Sequence, residues 1–435
     1  MGSLTKKDKT ANAGLDRARQ IPPAVAPNPA ATVEIMLNNA ATGNAYLSWT
    51  PSSCSIRITN PPQADLSVTL RNKDTTRGGQ VKFRTSYTAA EQDTLPLTVP
   101  GNGTAVTFFV GGKFGSPSTA DQDGGIVAAL TATGAVLRER TLMVRIRKNA
   151  NTLTPAERDR FLSAYATLNA SAATYQIFLD GHNAAADNEI HGRPAFLPWH
   201  RAFVLDIERR LQGIDPSVTV PYWRFDQPAP NLFSADFMGG TPNPAGRVAM
   251  NATNPLRNWT IGGAVGIVRI PRFNTTTNGG LVMSEADTLR LGTDFTGFSD
   301  MEGDPHGFAH TSFSTGPITS PATATRDPIF FLLHCNVDRL WAKWQGSLNL
   351  FNPLDTTTYS PQSGGTIGDN PGDTMWPWNG VTTGGRPPTA TSGPMPRSSI
   401  TSKPSALPTV GEMIDYIGKT QGNSNDFSYD DIPFS

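Results

Sequence analysis

Hydrophobic and polar positions alternate through the first third of the chain and then change period. Short runs rich in Val, Ile, Thr and Phe occupy residues 31–37, 54–59, 66–71, 80–86, 104–110, 125–131 and 139–147. Val81-Lys82-Phe83-Arg84 and Leu142-Met143-Val144-Arg145-Ile146-Arg147 step between apolar and polar side chains, the pattern of strands with one face on a core. Asn60-Pro61-Pro62, Pro100-Gly101-Asn102-Gly103 and Gly111-Gly112 separate the runs and mark turns. Seven strands at this spacing predict an antiparallel β-sandwich.

At residues 148–151 the pattern becomes helical. Thr154-Pro155-Ala156-Glu157 has the layout of a capping box with proline at the first helical position. Phe161, Leu162, Tyr165 and Leu168 then recur at helical spacing, and residues 175–179 form a second apolar segment. Gly192-Arg193-Pro194 predicts a loop, and Pro198-Trp199-His200 opens a helix with His200, Phe203, Val204, Ile207 and Leu211 on one stripe, ended by Gly213. Asp304-Pro305 predicts the start of a short helix. Asp327-Pro328 predicts a longer one, with Phe330, His334, Val337, Asp338 and Trp341 sharing a face. Beyond residue 346 the chain is rich in Pro, Gly, Ser and Thr and reads as irregular, apart from a short helix near 410–417.

These changes divide a multidomain α+β protein. A flexible leader (1–30) precedes an N-terminal antiparallel β-sandwich accessory domain (31–148), expected to fold as a separate unit. A mainly α, loop-rich catalytic domain (152–346) follows, then an irregular C-terminal extension (347–435) packed on it.

Composition narrows the function. Basic and acidic residues balance at 36 each, which gives no attraction to nucleic acid or an anionic membrane. No run approaches the roughly 18 apolar residues of a membrane span. The leader lacks the apolar stretch of a secretory signal, so a cytoplasmic location is expected. The two cysteines, Cys54 and Cys335, build no disulfide framework. Cys335 follows His334, but its side chain points about 100° round the helix from that imidazole. It reads as a small buried residue rather than a ligand.

The six histidines carry the chemistry. His182, His191 and His200 are nine residues apart, and His306, His310 and His334 form a second triplet with an i,i+4 pair. Two adjacent metal ions, each with three imidazoles and an open position, would use all six. A hydrolase usually bridges two metals with carboxylates, and apart from Glu302 none sits in a ligand-like position. Neutral ligands suit a metal cycling between +1 and +2, which favours dioxygen chemistry on copper. Four helical elements carry the imidazoles, and a bundle burying them inward is the economical arrangement. Asp338 and Glu208 lie one and two turns beyond His334 and His200. Each can accept a ring N–H or pair with Arg201 or Arg339.

The stretch from His191 to Arg201, HGRPAFLPWHR with Glu208 following, resembles the first copper-site signature of the tyrosinase and polyphenol oxidase (catechol oxidase) family. Asp327 to Trp341, DPIFFLLHCNVDRLW, resembles the second, and His306 and His310 match the family's helical pair. The resemblance spans roughly residues 155–345. It implies a type 3 dicopper centre in a four-helix bundle, with His182, His191 and His200 on one copper and His306, His310 and His334 on the other. It also implies O2 and small phenols as partners. o-Diphenols would be oxidised to o-quinones, with monophenol hydroxylation a weaker activity. Glu302 matches the acidic residue that positions a water to accept the phenol proton. A haemocyanin-like oxygen carrier would use the same six ligands, and o-aminophenol oxidation is a variant of the same chemistry.

The chain also departs from the family pattern. Glu189 stands two before His191 and no cysteine lies between His182 and His200, so a thioether to a first-site histidine is absent. Leu333 precedes His334 where a histidine is common, and Arg224 follows Tyr222-Trp223 where an acid is usual. Pro321 falls near the position of a blocking phenylalanine. Gly307 stands where an asparagine often helps hold the water, which favours diphenols over monophenols.

Overall fold

The computed structural model describes residues 30–361, 368–398 and 400–434; apart from Ala30, the expected leader lies outside them. Nine strands occupy the first part: β1 (Val33–Met36), β2 (Tyr46–Leu47), β3 (Ser52–Ile58), β4 (Leu66–Asn72), β5 (Val81–Arg84), β6 (Thr94–Val99), β7 (Val106–Gly112), β8 (Gly124–Leu130) and β9 (Val136–Val144). They form one sheet of order β1-β3-β7-β5 and a second of order β2-β9-β8-β4-β6. Ile35, Ile56, Phe83 and Phe108 of the first share a buried cluster with Val68, Leu70, Ile126 and Leu142 of the second.

Two strands escape the sequence pattern. β6 contains Pro96, which lacks a backbone donor; at the sheet edge, paired only with β4, that loss is tolerated. β2 is two residues long and pairs parallel to β9, the one departure from antiparallel order in these two sheets.

The helical part contains α1 (Pro155–Ala170), α2 (Ala172–Gly181), α3 (Phe196–Ile214) and α4 (Ile329–Leu348). α1 starts on the capping box: Thr154 Oγ1 accepts from the Glu157 amide, and Glu157 Oε2 accepts from the Thr154 amide at 3.0 Å. α4 starts where Asp327 Oδ1 accepts from Ile329 N at 3.1 Å. Asp304 does not cap in this way. Its backbone is extended (φ −135°, ψ 120°), and its carboxylate accepts from Met283 N. Asp304 lies inside a wide turn, Gly303–Gly307, that runs into a short helix, Phe308–Thr311.

A single apolar core holds Phe161, Phe178, Phe203 and Phe331 together with Trp376, Trp378 and Tyr416 from beyond residue 346. The C-terminal segment thus completes the core, and Trp378 Nε1 donates to the buried Asp206 at 2.7 Å. Among the described residues no helix is long and apolar enough to cross a membrane.

The sheets join the helices through buried charge rather than the modest contact expected between separate units. Arg147 is fully buried and donates to Glu208 of α3, Asp338 of α4 and the Tyr429 hydroxyl, each at 2.9 Å. Arg201 of α3 pairs with the same Asp338 and lies 3.7 Å from the centre of the Trp341 ring. Glu208 and Asp338 are therefore ion-pair partners, and no imidazole donates to either.

Candidate metal centre

Each histidine is positioned by a different local device. His182 caps the end of α2, and His191 follows the turn Asp187–Ile190. His200 sits in the first turns of α3 and His334 in those of α4. His306 and His310 come from the 303–311 segment. Within each triplet the candidate donor atoms lie within 4.8 Å of one another. The triplets abut, with the rings of His200 and His334 stacked 4.3 Å apart. Phe330 packs between them, 4.2 Å from His334 and 4.7 Å from His182 by ring centres.

Five rings donate from Nδ1 to a fixed acceptor: His182 to Pro321 O (2.9 Å), His191 to Asp187 Oδ1 (2.9 Å), His200 to Phe196 O (2.8 Å), His306 to Glu302 O (2.8 Å) and His310 to Ile318 O (2.7 Å). That fixes the tautomer and leaves the Nε2 lone pair free, the usual second layer of a metal-binding histidine. The Nε2 atoms of His182, His200 and His306 are buried without a hydrogen-bond partner among the described residues. Each such atom costs about 1–3 kcal/mol, which an ion on that lone pair would remove. His310 Nε2 and His334 Nε2 are 3.3 Å apart. Two nitrogens about 2.0–2.1 Å from one ion at a near-tetrahedral angle have that separation. Burial holds all six imidazoles below their usual pKa, His310 at about 4. They are neutral and ready to ligate at pH 7. An all-imidazole donor set of this kind fits two copper ions.

Glu302 is half-buried. Its Oε1 accepts from Gly192 N at 2.7 Å, and its carbonyl holds His306. Burial raises its carboxyl to about 7, partly opposed by the Gly192 hydrogen bond. It lines a cavity of 560 Å³ shared with Gly192, Arg193, Phe295, Tyr359 and Ile414. Gly307 lies between His306 and His310, and a Cβ there would meet only Glu302 O, at 3.4 Å.

Pro321 acts through its backbone, as the acceptor for His182. Cys335 is buried with its thiol directed to Val220 O, and burial pushes its pKa up. Asp187 escaped the sequence reading, although its i,i+4 spacing to His191 is the available signal.

Residues 172–347 match the family described as the common central domain of tyrosinase. A tyrosinase of Streptomyces glaucescens is 33% identical over 261 residues, covering 54% of this chain and 92% of the relative. Grixazone synthase of Streptomyces griseus is 30% identical over 265 residues, covering 47% of this chain and 85% of the relative. Among solved structures, a functional unit of octopus hemocyanin is 21% identical, with a TM-score of 0.46, covering 67% of this chain and 69% of that one.

Proposed function

Since the chain belongs to the tyrosinase family and is thus a copper oxidoreductase of the dicopper type, we propose that it oxidises o-diphenols to o-quinones with O2 and hydroxylates monophenols more slowly. We assign His182, His191 and His200 to one copper and His306, His310 and His334 to the other. The observation that carries this is the set of buried Nε2 atoms left without partners while their Nδ1 atoms are anchored. We further read α2, α3, residues 303–311 and α4 as a four-helix bundle around the two ions. This bundle would belong to a catalytic unit over residues 152–346, flanked by the accessory sheets and the C-terminal extension.

When bound, the copper pair supplies O2 activation and the electron transfer. Two catechols and one O2 give two quinones and two waters, so each catechol loses two electrons and two protons. The Nδ1 anchors hold the rings, and Phe330 packs against those of His182 and His334. With Oε1 of Glu302 held by Gly192 N, we assign Oε2 to take the phenol proton through a water. Copper-loaded protein should consume one O2 per two catechols. Reversible O2 uptake with no loss of catechol would instead indicate an oxygen carrier.

A base must be ionised to act. Burial puts Glu302 at about 7 without metal, and the positive charge of the coppers lowers it. Monophenol turnover should therefore rise with pH through an inflection at or below about pH 7. Glu302→Gln should remove that limb and slow hydroxylation by about 100-fold, while affecting catechol oxidation less. Equal losses on both substrates across pH 5–8 would exclude the assigned role.

A diphenol brings two ionisable oxygens, whereas a monophenol depends more on an oriented base. Gly307 gives no side chain to hold the water, and the space above it is open. Gly307→Asn should raise the ratio of monophenol to diphenol turnover several-fold, the worth of one hydrogen bond of about 1 kcal/mol. Steady-state rates on a matched phenol and catechol check this, and an unchanged ratio removes Gly307 from the account.

A further inference from the structure

The loop carrying His191 is held by a segment 176 residues further along the chain from Arg193. Asp369 accepts from Arg193 through both oxygens, with Oδ1 3.0 Å from Nε. The same Oδ1 is 3.3 Å from Ala195 N. Ala195 is the N-cap residue of α3 and has no side chain able to cap it. Asp369 thus supplies from outside the carboxylate that a helix start favours, on the helix that presents His200. Arg386 pairs with Glu189 at 2.7 Å, and both side chains are largely buried. Between these contacts Gly192 N is held by Glu302.

His191 sits in the middle of this gripped loop. It is the most exposed of the six histidines, with 15% of its side chain accessible. Its own Nδ1 acceptor, Asp187, is 47% exposed. His200 and His334 are fixed by long helices, whereas the direction of His191 depends on where the loop is held.

We propose that Asp369 and Arg386 are positioning residues for His191, so that the C-terminal segment sets how firmly the first triplet retains its copper. Asp369 acts on both sides of the ligand set, through Arg193 two residues after His191 and through the first turn under His200. Arg386 fixes the other end of the loop. Neither needs to touch the metal. The proposal rests on His191 being a copper ligand.

The test follows copper release from the fully loaded protein into excess EDTA, by metal analysis and by the paramagnetic resonance signal of a lone Cu(II). In Asp369→Ala and Arg386→Gln, one copper per chain should leave about 10-fold faster than in wild type, the lower range for losing an outer contact. The second copper should leave at the wild-type rate, and a lone-ion signal should grow in between. Asp369→Glu should recover part of the retention. If Asp369→Ala does not fold, Asp369→Asn is read in the same assay. Release of both coppers at wild-type rates, or equal acceleration of both, overturns the proposal. His191→Ala separates the premise from the inference: if it still holds two coppers, the ligand assignment fails. If it holds one while the Asp369 variants behave as wild type, only the positioning role fails.

Discussion

Replacing His310 by alanine is expected to leave a folded chain that holds about one copper instead of two and oxidises catechol at least about 100-fold more slowly. The change removes Nε2 from its place 3.3 Å from His334 Nε2, leaving the second triplet two nitrogens. Outer contacts to a ligand are themselves worth about 10–100-fold, so losing the ligand exceeds that. The fold should survive because the variant loses one side-chain hydrogen bond to the backbone, Nδ1 to Ile318 O, while the apolar core keeps every one of its residues. His310 belongs to no long helix but to the short Phe308–Thr311 turn. Metal analysis, oxygen consumption and circular dichroism on one preparation are sufficient. A variant keeping two coppers and full catechol turnover would remove His310 from the ligand set, and with it the symmetry of the two triplets.

The site was legible in the sequence because histidine is scarce and the chain has no strays outside two triplets. What fixes the rings was not. Four of the five Nδ1 acceptors are backbone carbonyls, of Pro321, Phe196, Glu302 and Ile318, and a carbonyl leaves no mark in residue identity. Asp187 had the right spacing, but residues 183–191 lack the apolar periodicity that would announce a helical turn. The strand pattern failed in a related way. Alternation implies one wet face, yet residues 142–147 are all buried, because the end of this stretch runs between the second sheet and the helices. Arg145 and Arg147 looked like solvent-facing positions and are among the more enclosed charges in the protein. The Asp-Pro pair at 304 shared its residue types with the pair at 327, but its carboxylate is engaged by Met283 N instead of the following helix.

Arg147→Met should destabilise the protein by about 3–5 kcal/mol, the usual cost of removing one partner from a buried ion pair. Its guanidinium is shared by Glu208 and Asp338, whose side chains are at most 1% exposed. Without it Glu208 keeps the Val220 amide, and Asp338 keeps Arg201 and the Tyr429 hydroxyl. Two carboxylates would then face one guanidinium in a medium that screens them poorly. The site for the lost cation is walled by the Phe427 ring, 4.0 Å from the guanidinium carbon, so water cannot replace it easily. Arg57→Ala is the matched control, since its pair with Glu34 is half exposed and such pairs contribute about 0–1 kcal/mol. Urea unfolding of both variants at one pH gives the comparison directly. The same reasoning extends to a chain begun at Asn149, which loses Arg147 and also Trp49, whose Nε1 donates to Tyr429 O at 2.8 Å. That truncation should be less stable than Arg147→Met, and its copper content should fall, because Arg201 and Asp338 stand next to and one turn beyond two of the histidines. If Arg147→Met costs no more than Arg57→Ala, the buried network does not hold the sheets to the helices, and the apolar contacts around Phe427 must do so instead.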